Sequence, residues 1–311
     1  MDSTDATHVP VLAQEAVRAL EPSRGGLFVD CTVGLGGHAA AILESGPGAR
    51  LLGIDRDPRA LAMAAERLRR FGDRVELVEG EFGDLAEILA ARGIDRVAGV
   101  LADLGVSSLQ LDTPVRGFSF RFEGPLDMRM GAAGRTAAEI VNHDSEAQLE
   151  TILREFGEEP QARRIARAIV EEREQAPIET TDALADLVRR VKGRQRGERR
   201  RIDPATRAFQ ALRLEVNQEL AGLERLLAQV VDLLERDGRL VVISYHSLED
   251  RIVKHTLRNL SRGEKDPVTG RTLSESRVIE LLTRKPVRPG ESELAANPRA
   301  RSARLRAARR L

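Results

Sequence analysis

The feature that most constrains this chain is a glycine-rich turn set between a strand and a helix. The apolar run Leu27-Phe28-Val29 leads into Asp30-Cys31-Thr32-Val33-Gly34-Leu35-Gly36-Gly37-His38, and Ala39-Ala40-Ala41-Ile42-Leu43 follows with helix-forming composition. A buried strand that breaks into glycines and restarts as a helix is how an α/β sheet holds a nucleotide-like ligand, because a backbone without Cβ atoms can approach it closely. A second apolar run, Leu51-Leu52-Gly53-Ile54, ends in Asp55. A carboxylate at that strand tip is placed to accept the ribose hydroxyls of an adenosine. Glycine turn and acidic tip together predict an adenosine-containing cofactor.

Two cofactors fit that description. A nicotinamide dinucleotide calls for G-x-G-x-x-G with its pyrophosphate on the helix N-terminus, whereas the glycines here read G-x-G-G-H. Asp30 also brings a negative charge into the turn, which repels a pyrophosphate and suits the sulfonium or ammonium of S-adenosylmethionine. The loop therefore favours methyl transfer over hydride transfer. Gly36 and Gly37 could serve a tight turn alone, but Asp55 in the expected place argues for a ligand.

The chain has 311 residues, with 49 basic and 49 acidic side chains, so net charge points to no partner. Distribution says more. Arg189 to Arg201 holds eight basic residues and one acid, Glu198, and the C-terminal stretch carries Arg299, Arg301, Arg304, Arg306, Arg309 and Arg310 with no acid between them. Such runs bind phosphates or are simply solvated; two of them on a cofactor-binding chain tilt the reading towards nucleic acid. The single cysteine, Cys31, excludes an internal disulfide and reads as a small core residue. The histidines at 8, 38, 143, 246 and 255 show no H-x-x-x-H spacing, so no catalytic metal is expected. Neither an apolar signal core nor a membrane-length run is present, and a cytoplasmic protein is expected.

Strand and helix patterns alternate at first: strands at 27–31, 50–54, 75–78 and 97–102, helices from Ala39, Pro58 and Asp84. Short connections between such repeats mean a parallel, doubly wound α/β sheet. The alternation then stops. Leu149, Ile152, Leu153 and Phe156, then Ile165, Ile169 and Val170, then Leu184, Leu187, Val188 and Val191 have helical spacing, which predicts an inserted helical subdomain over 113–203 within a core of 1–112 and 204–311. Asp203-Pro204 is expected to start a helix whose apolar stripe runs from Phe209 to Leu234. A fifth strand is expected over 239–244. Ser247 and Asp250 have capping-box spacing for the helix that follows, and final strands are expected at 278–282 and 302–307.

The residues now resemble a known family. His8-Val9-Pro10-Val11-Leu12, the glycine turn, Gly53-Ile54-Asp55-Arg56-Asp57, Asp103-Leu104-Gly105-Val106-Ser107-Ser108-x-Gln110-Leu111-Asp112, Arg116-Gly117-Phe118-Ser119-Phe120 and Gly124-Pro125-Leu126-Asp127-Met128-Arg129-Met130 occur in order. Pro204-Ala205-Thr206-Arg207-x-Phe209-Gln210-Ala211-Leu212-Arg213, Ser244-Tyr245-His246-Ser247-Leu248-Glu249-Asp250-Arg251 and Asn297-Pro298-Arg299-Ala300-Arg301-Ser302 complete the series. The chain resembles, over nearly its whole length, the bacterial 16S ribosomal RNA cytosine N4-methyltransferases. The resemblance implies a class I S-adenosylmethionine-dependent methyltransferase fold, Rossmann-like, with an inserted all-α subdomain for substrate recognition. It implies N4-methylation of one cytosine in the 16S rRNA of the small ribosomal subunit, and it leaves a homodimer open. By the same resemblance Gly36, Gly37, His38, Asp55, Phe82, Asp103 and Gln110 would hold the cofactor. Tyr245 stands where the family usually has phenylalanine, and Leu35 and Ala39 replace commoner polar residues.

Cytosine N4 is a poor nucleophile because its lone pair is delocalised, so the protein must align the reactants and hold acceptors at the amine hydrogens. Asp103, at the tip of the fourth strand, is expected to be that acceptor or a cofactor ligand. His246 is the second catalytic candidate, either at the target base or in a structural role. Tyr245 would stack on an extruded base or pack at the strand end. Phe118, Phe120 and Phe122 alternate along an extended segment and either floor the cleft or pack on the inserted helices; Arg116, Arg121 and Arg129 beside them are expected phosphate contacts. Phe82 would touch adenine through an apolar face. A nicotinamide oxidoreductase, a methyltransferase acting on DNA or a small molecule, and a cofactor-binding ribosome-assembly factor remain the alternatives. The Asp/Asn-Pro-Pro-aromatic word of DNA amino-methylating enzymes is replaced here by Asp103-Leu104-Gly105-Val106, which points away from DNA.

Overall fold

A computed structural model of the chain describes residues 10–193, 203–263 and 276–311. It divides into two compact units, Met1–Gly105 with Leu220–Leu311, and Val106–Glu219. In the first unit the order is α1 (Ala13–Leu20), β1 (Gly26–Asp30), α2 (Gly37–Ser45), β2 (Ala49–Asp55), α3 (Pro58–Leu68), β3 (Val75–Glu79), α4 (Leu85–Ala90) and β4 (Val97–Asp103). The second unit supplies α5 (Ser108–Asp112), α6 (Ala137–His143), α7 (Glu146–Glu155), α8 (Ala162–Arg173), α9 (Thr181–Lys192) and α10 (Thr206–Asn217). The chain then continues as α11 (Glu219–Leu233), β5 (Leu234–Ser244), α12 (Ser247–Arg262), β6 (Ile279–Leu281), α13 (Glu291–Ala296) and β7 (Arg304–Arg310).

The seven strands form one sheet in the order β3-β2-β1-β4-β5-β7-β6. The first five run parallel, and β7 runs antiparallel to both β5 and β6. The doubly wound, mostly parallel α/β sheet expected from the sequence is therefore present. Its strands are near-continuously apolar because helices cover both faces: Phe28, Leu51 and Leu101 enter one core with α1 and α2, while Val29, Leu52, Val100 and Val242 enter another with α4, α11 and α12. The strand order reverses between β1 and β4, and such switch points are where open α/β sheets bind ligands.

The second unit has its own core, in which Ile140, Leu153, Ile165 and Leu184 meet Phe209 and Leu212 of α10. This packing is why the units part at 105/106 and 219/220 and not at the expected 112/113 and 203/204. The expected single helix from Asp203 to Leu234 is two, because Gln218 turns left-handed with φ 49°. Asp203 precedes the helix, its Oδ1 accepting from the Ala205 N–H at 2.8 Å. The capping box of α12 belongs to His246 and Glu249 rather than to Ser247 and Asp250. The last strand begins at Arg304 because Pro298–Ser302 forms a 3-10 turn.

The C-terminal arginines have internal partners. Arg306 Nε lies 2.7 Å from Asp250 Oδ1, and Arg304 Nη1 lies 3.2 Å from Asp250 Oδ2. Arg309 bridges Asp237 and Glu280 at 2.7 and 2.6 Å, and Arg310 donates to backbone carbonyls of Asp232 and Leu234. Burial works against ionised Asp250, yet the Arg306 and Arg304 bonds outweigh it and hold the carboxyl below the usual range. This stretch, read as phosphate-binding or solvated, fastens β7 to α12, β6 and the start of β5.

Candidate cofactor and active site

Parallel pairing brings the C-terminal tips of β1, β2 and β4 to one edge of the sheet, with Asp30 opposite Gly53 and Leu101 in register. Each tip carries an aspartate: Asp30, Asp55 and Asp103. The loop from Cys31 to Gly36 is bonded to its neighbours on either side. Cys31 N–H donates to Leu101 O at 2.8 Å and Val33 N–H to Ile54 O at 2.9 Å. Gly34 N–H donates to Asp55 Oδ2 at 2.8 Å, and Asp103 N–H donates to Thr32 Oγ1 at 2.7 Å. Gly36 takes φ 76° to start α2, a conformation that needs a residue without a Cβ. A Cβ on Gly37 would lie 3.2 Å from the Pro10 ring, so the small residue there lets the segment before α1 close on the helix start.

The charges at this edge are unusual. Asp30 is fully buried; Oδ1 accepts from Thr32 N–H at 3.2 Å, while Oδ2 has no hydrogen-bond partner among the described residues. Burial pushes its carboxyl up to about 7 against the opposing influence of His38. Asp103 is pushed up to about 7 as well, again by burial, against the hydrogen bond from Tyr245. Asp55 is raised by burial despite backbone donors from Asp57 and Gly34. His38 Nε2 lies 2.9 Å from Val11 O; a carbonyl only accepts, so this nitrogen carries its proton. Its Nδ1 faces Asp103 Oδ2 at 3.6 Å. That separation is beyond hydrogen-bond reach, and burial lowers the pKa of the imidazole. Three carboxylates raised by burial around a glycine-rich loop suit a ligand with a positive centre and hydroxyls to donate. They do not suit a pyrophosphate.

Gly36, Gly37, His38, Asp55 and Asp103 are thus brought together at the strand tips. Phe82 follows β3, half-buried, with its ring edge where a Cβ on Gly222 of α11 would lie, 3.2 Å away. Gln110 lies in the other unit, buried, its Oε1 accepting from Ser107 N–H at 3.0 Å in the capping box of α5. His246 is the first-turn cap of α12, with Nε2 3.0 Å from Glu249 Oε1. Glu249 is itself buried and accepts from the Tyr245 N–H at 2.8 Å. Tyr245 uses its hydroxyl on Asp103 Oδ1, at 2.9 Å. Sequence reasoning missed Thr32, Glu249 and the Val11 carbonyl as supports, since none belongs to a motif of its own.

In the second unit Phe118 is buried and Phe120 meets Phe209 edge-on with centroids 4.7 Å apart, so these two pack on the helices. Phe122 is exposed. Arg129 binds Asp127 at 2.7 Å and Arg116 donates to the carbonyls of Arg129 and Met130. Two of the three expected phosphate contacts thus have internal bonds, while Arg121 is exposed. In the Arg189–Arg201 run, Arg189 pairs with Asp203 and Asp186, and Arg190 with Glu172; Arg194 to Arg201 lie outside the described residues, as does His8. Among the described residues no group of three or more His, Cys, Asp or Glu could hold a metal ion, and no helix is long and apolar enough to cross a membrane.

The profile of the MraW methylase family matches residues 5–311. Ribosomal RNA small subunit methyltransferase H of Bradyrhizobium diazoefficiens is 52% identical over 311 residues, covering 99% of this chain and 92% of its own length. The protein of that name from Acidiphilium cryptum is also 52% identical, over 98% of each chain. That from Geotalea uraniireducens is 49% identical over 99% of this chain and 100% of its own length.

Proposed function

Because this chain belongs to the MraW methylase family, we propose that the aspartate-lined strand tips are where it transfers a methyl group to the N4 amine of one small-subunit rRNA cytosine. The chain is an S-adenosylmethionine-dependent rRNA methyltransferase. The observation that carries the site assignment is the pair Asp30 and Asp103. They flank the topological switch point, burial raises the pKa of both, and the Oδ2 of Asp30 asks for a donor or a positive charge that none of the described residues supplies. S-adenosylmethionine, when bound, supplies a methyl group on a sulfonium, already activated for attack.

The residues then divide the work. Gly34, Gly36 and Gly37 keep side chains out of the loop that meets the ligand. Asp55 has one backbone donor on each oxygen, from Gly34 and Asp57, and keeps lone pairs for ribose hydroxyls. Phe82 offers an apolar face to the adenine. Asp30 offsets positive charge. Asp103 is the acceptor for an amine hydrogen of the target base or a direct cofactor ligand, held by Thr32 at its backbone and by Tyr245 at Oδ1. Gln110 is assigned to the cofactor by the family pattern, and His246 to the base by its place next to Tyr245. The Val106–Glu219 unit is assigned to rRNA recognition, with Arg121 and exposed Phe122 as a phosphate and a base contact.

The test is transfer of a labelled methyl group to small ribosomal subunits lacking the modification, followed by nucleoside mass spectrometry. N4-methylcytosine is the expected product, lost in Asp103→Ala. Label in another nucleoside, or an Asp103→Ala variant with full turnover, would overturn the assignment.

A further inference from the structure

Tyr245 is the only tyrosine in the chain, and its geometry does not match a stacking platform. The ring lies against Gly105, where an added Cβ would sit 3.2 Å from Tyr245 Cδ2. The hydroxyl ends 2.9 Å from Asp103 Oδ1. The peptide N–H of the same residue donates to Glu249 Oε2 at 2.8 Å, so backbone and side chain are fixed from opposite sides. Asp103 is in turn bonded by Thr32 at its N–H and by Tyr245 at Oδ1, with His38 Nδ1 3.6 Å from Oδ2.

We propose that the Tyr245 hydroxyl is a positioning group for Asp103, fixing the rotation of its carboxylate and keeping it an acceptor by donating a hydrogen bond to Oδ1. This rests on the assignment of Asp103 to the methyl-transfer site. The physical case follows from the surroundings. The groups that bear on Asp103 are His38 from α2, Asp30 from β1, Glu249 from α12 and Tyr245 itself; Glu293 from α13 bears on Tyr245 and His38. Two of these, Asp30 and Glu249, are acids, so with burial they favour the protonated form of Asp103. His38 faces Oδ2 from 3.6 Å and does not reach Oδ1. The phenol donates where a donor is otherwise lacking, and it does so without adding charge to a site that must receive a cation. Burial and the adjacent Asp103 push the phenol's own pKa far up, so it stays a donor across the working range. Phenylalanine would fill the same space over Gly105 and leave Oδ1 without that donor.

Tyr245→Phe isolates the hydroxyl. Methyl transfer to small ribosomal subunits would be measured from about pH 6 to about pH 9, with S-adenosylhomocysteine binding by calorimetry and thermal melting alongside. Removing a donor to the ionised form raises the carboxyl pKa, so the acid limb of kcat/KM is expected to move up by about one pH unit. The deficit is therefore close to tenfold at the acid end and shrinks towards the alkaline end, with melting little changed. An equal loss at every pH, or none, would overturn the proposal and leave Tyr245 as packing. Asp103→Ala in the same assay keeps the two readings apart. If it still methylates, the site assignment falls. If it does not and Tyr245→Phe shows an unshifted limb, only the role of the hydroxyl falls.

Discussion

In the Val106–Glu219 unit the buried acids meet bases: Asp144 lies 2.6 Å from Arg135, Glu159 2.6 Å from Lys192, and Glu219 2.8 Å from Arg213. At the strand tips of the other unit Asp30 is also buried and Asp55 and Asp103 are half-buried, yet what faces them are backbone N–H groups, a phenol and an imidazole. A buried charge without a counterion is costly to fold around, so the two arrangements serve different ends. Paired acids in the helical unit fix packing. The strand-tip acids leave a negative potential that only a ligand relieves, and sites of function are where such perturbed carboxyls collect.

The comparison breaks most visibly at Asp103. Asp103→Ala is expected to cut methyl transfer by about 100-fold or more, as loss of a preorganised polar group does, with little change in melting. Glu159→Ala should do the reverse. Lys192 would keep only the Pro204 carbonyl as a partner, and a loss of about 3 kcal/mol in denaturant unfolding is expected, with turnover of the folded fraction intact. Asp30→Asn sharpens the contrast through pH. The folded-state pKa of Asp30 lies near 7, above its unfolded value of 3.8, so the folded protein binds the extra proton and loses stability as pH rises between those values. The variant should therefore be more stable than the parent by about 2 kcal/mol above pH 7, the gap closing near pH 4, and it should bind the sulfonium cofactor more weakly. Smallest are the surface arginines. Arg309→Ala should leave the salt dependence of rRNA methylation unchanged, since its partners are Asp237 and Glu280, whereas Arg121→Ala should lower the salt slope by about one.

Local chemistry was legible in the sequence and distant pairing was not. The strand ending in Asp30, the glycine turn and Pro58 at the start of α3 are written in adjacent residues, and all stand where periodicity and turn chemistry put them. Gln218 broke the long helix unannounced, because a left-handed glutamine carries no glycine or proline to mark it. His246 took the cap position from Ser247 because its ring reaches Glu249, a preference outside the usual capping residues. The C-terminal arginines read as a phosphate-binding run since Asp250, which holds Arg304 and Arg306, lies more than fifty residues away in the chain. At the site, Asp30 and Asp103 were visible as strand tips. Their shared burial, and the phenol on Asp103, appear only when β1, β4 and β5 lie side by side.

The hydrogen bonds that run from the Cys31–Gly36 loop to both flanking strands have a thermodynamic corollary. Glycine-rich segments have the most conformational freedom to lose, and a loop ordered only by its ligand would take that loss from the affinity of every encounter. Here Cys31, Val33 and Gly34 donate to Leu101, Ile54 and Asp55, bonds made within the protein's own sheet. The ordering is completed once, when the sheet forms, and each cofactor molecule afterwards meets a shape already made.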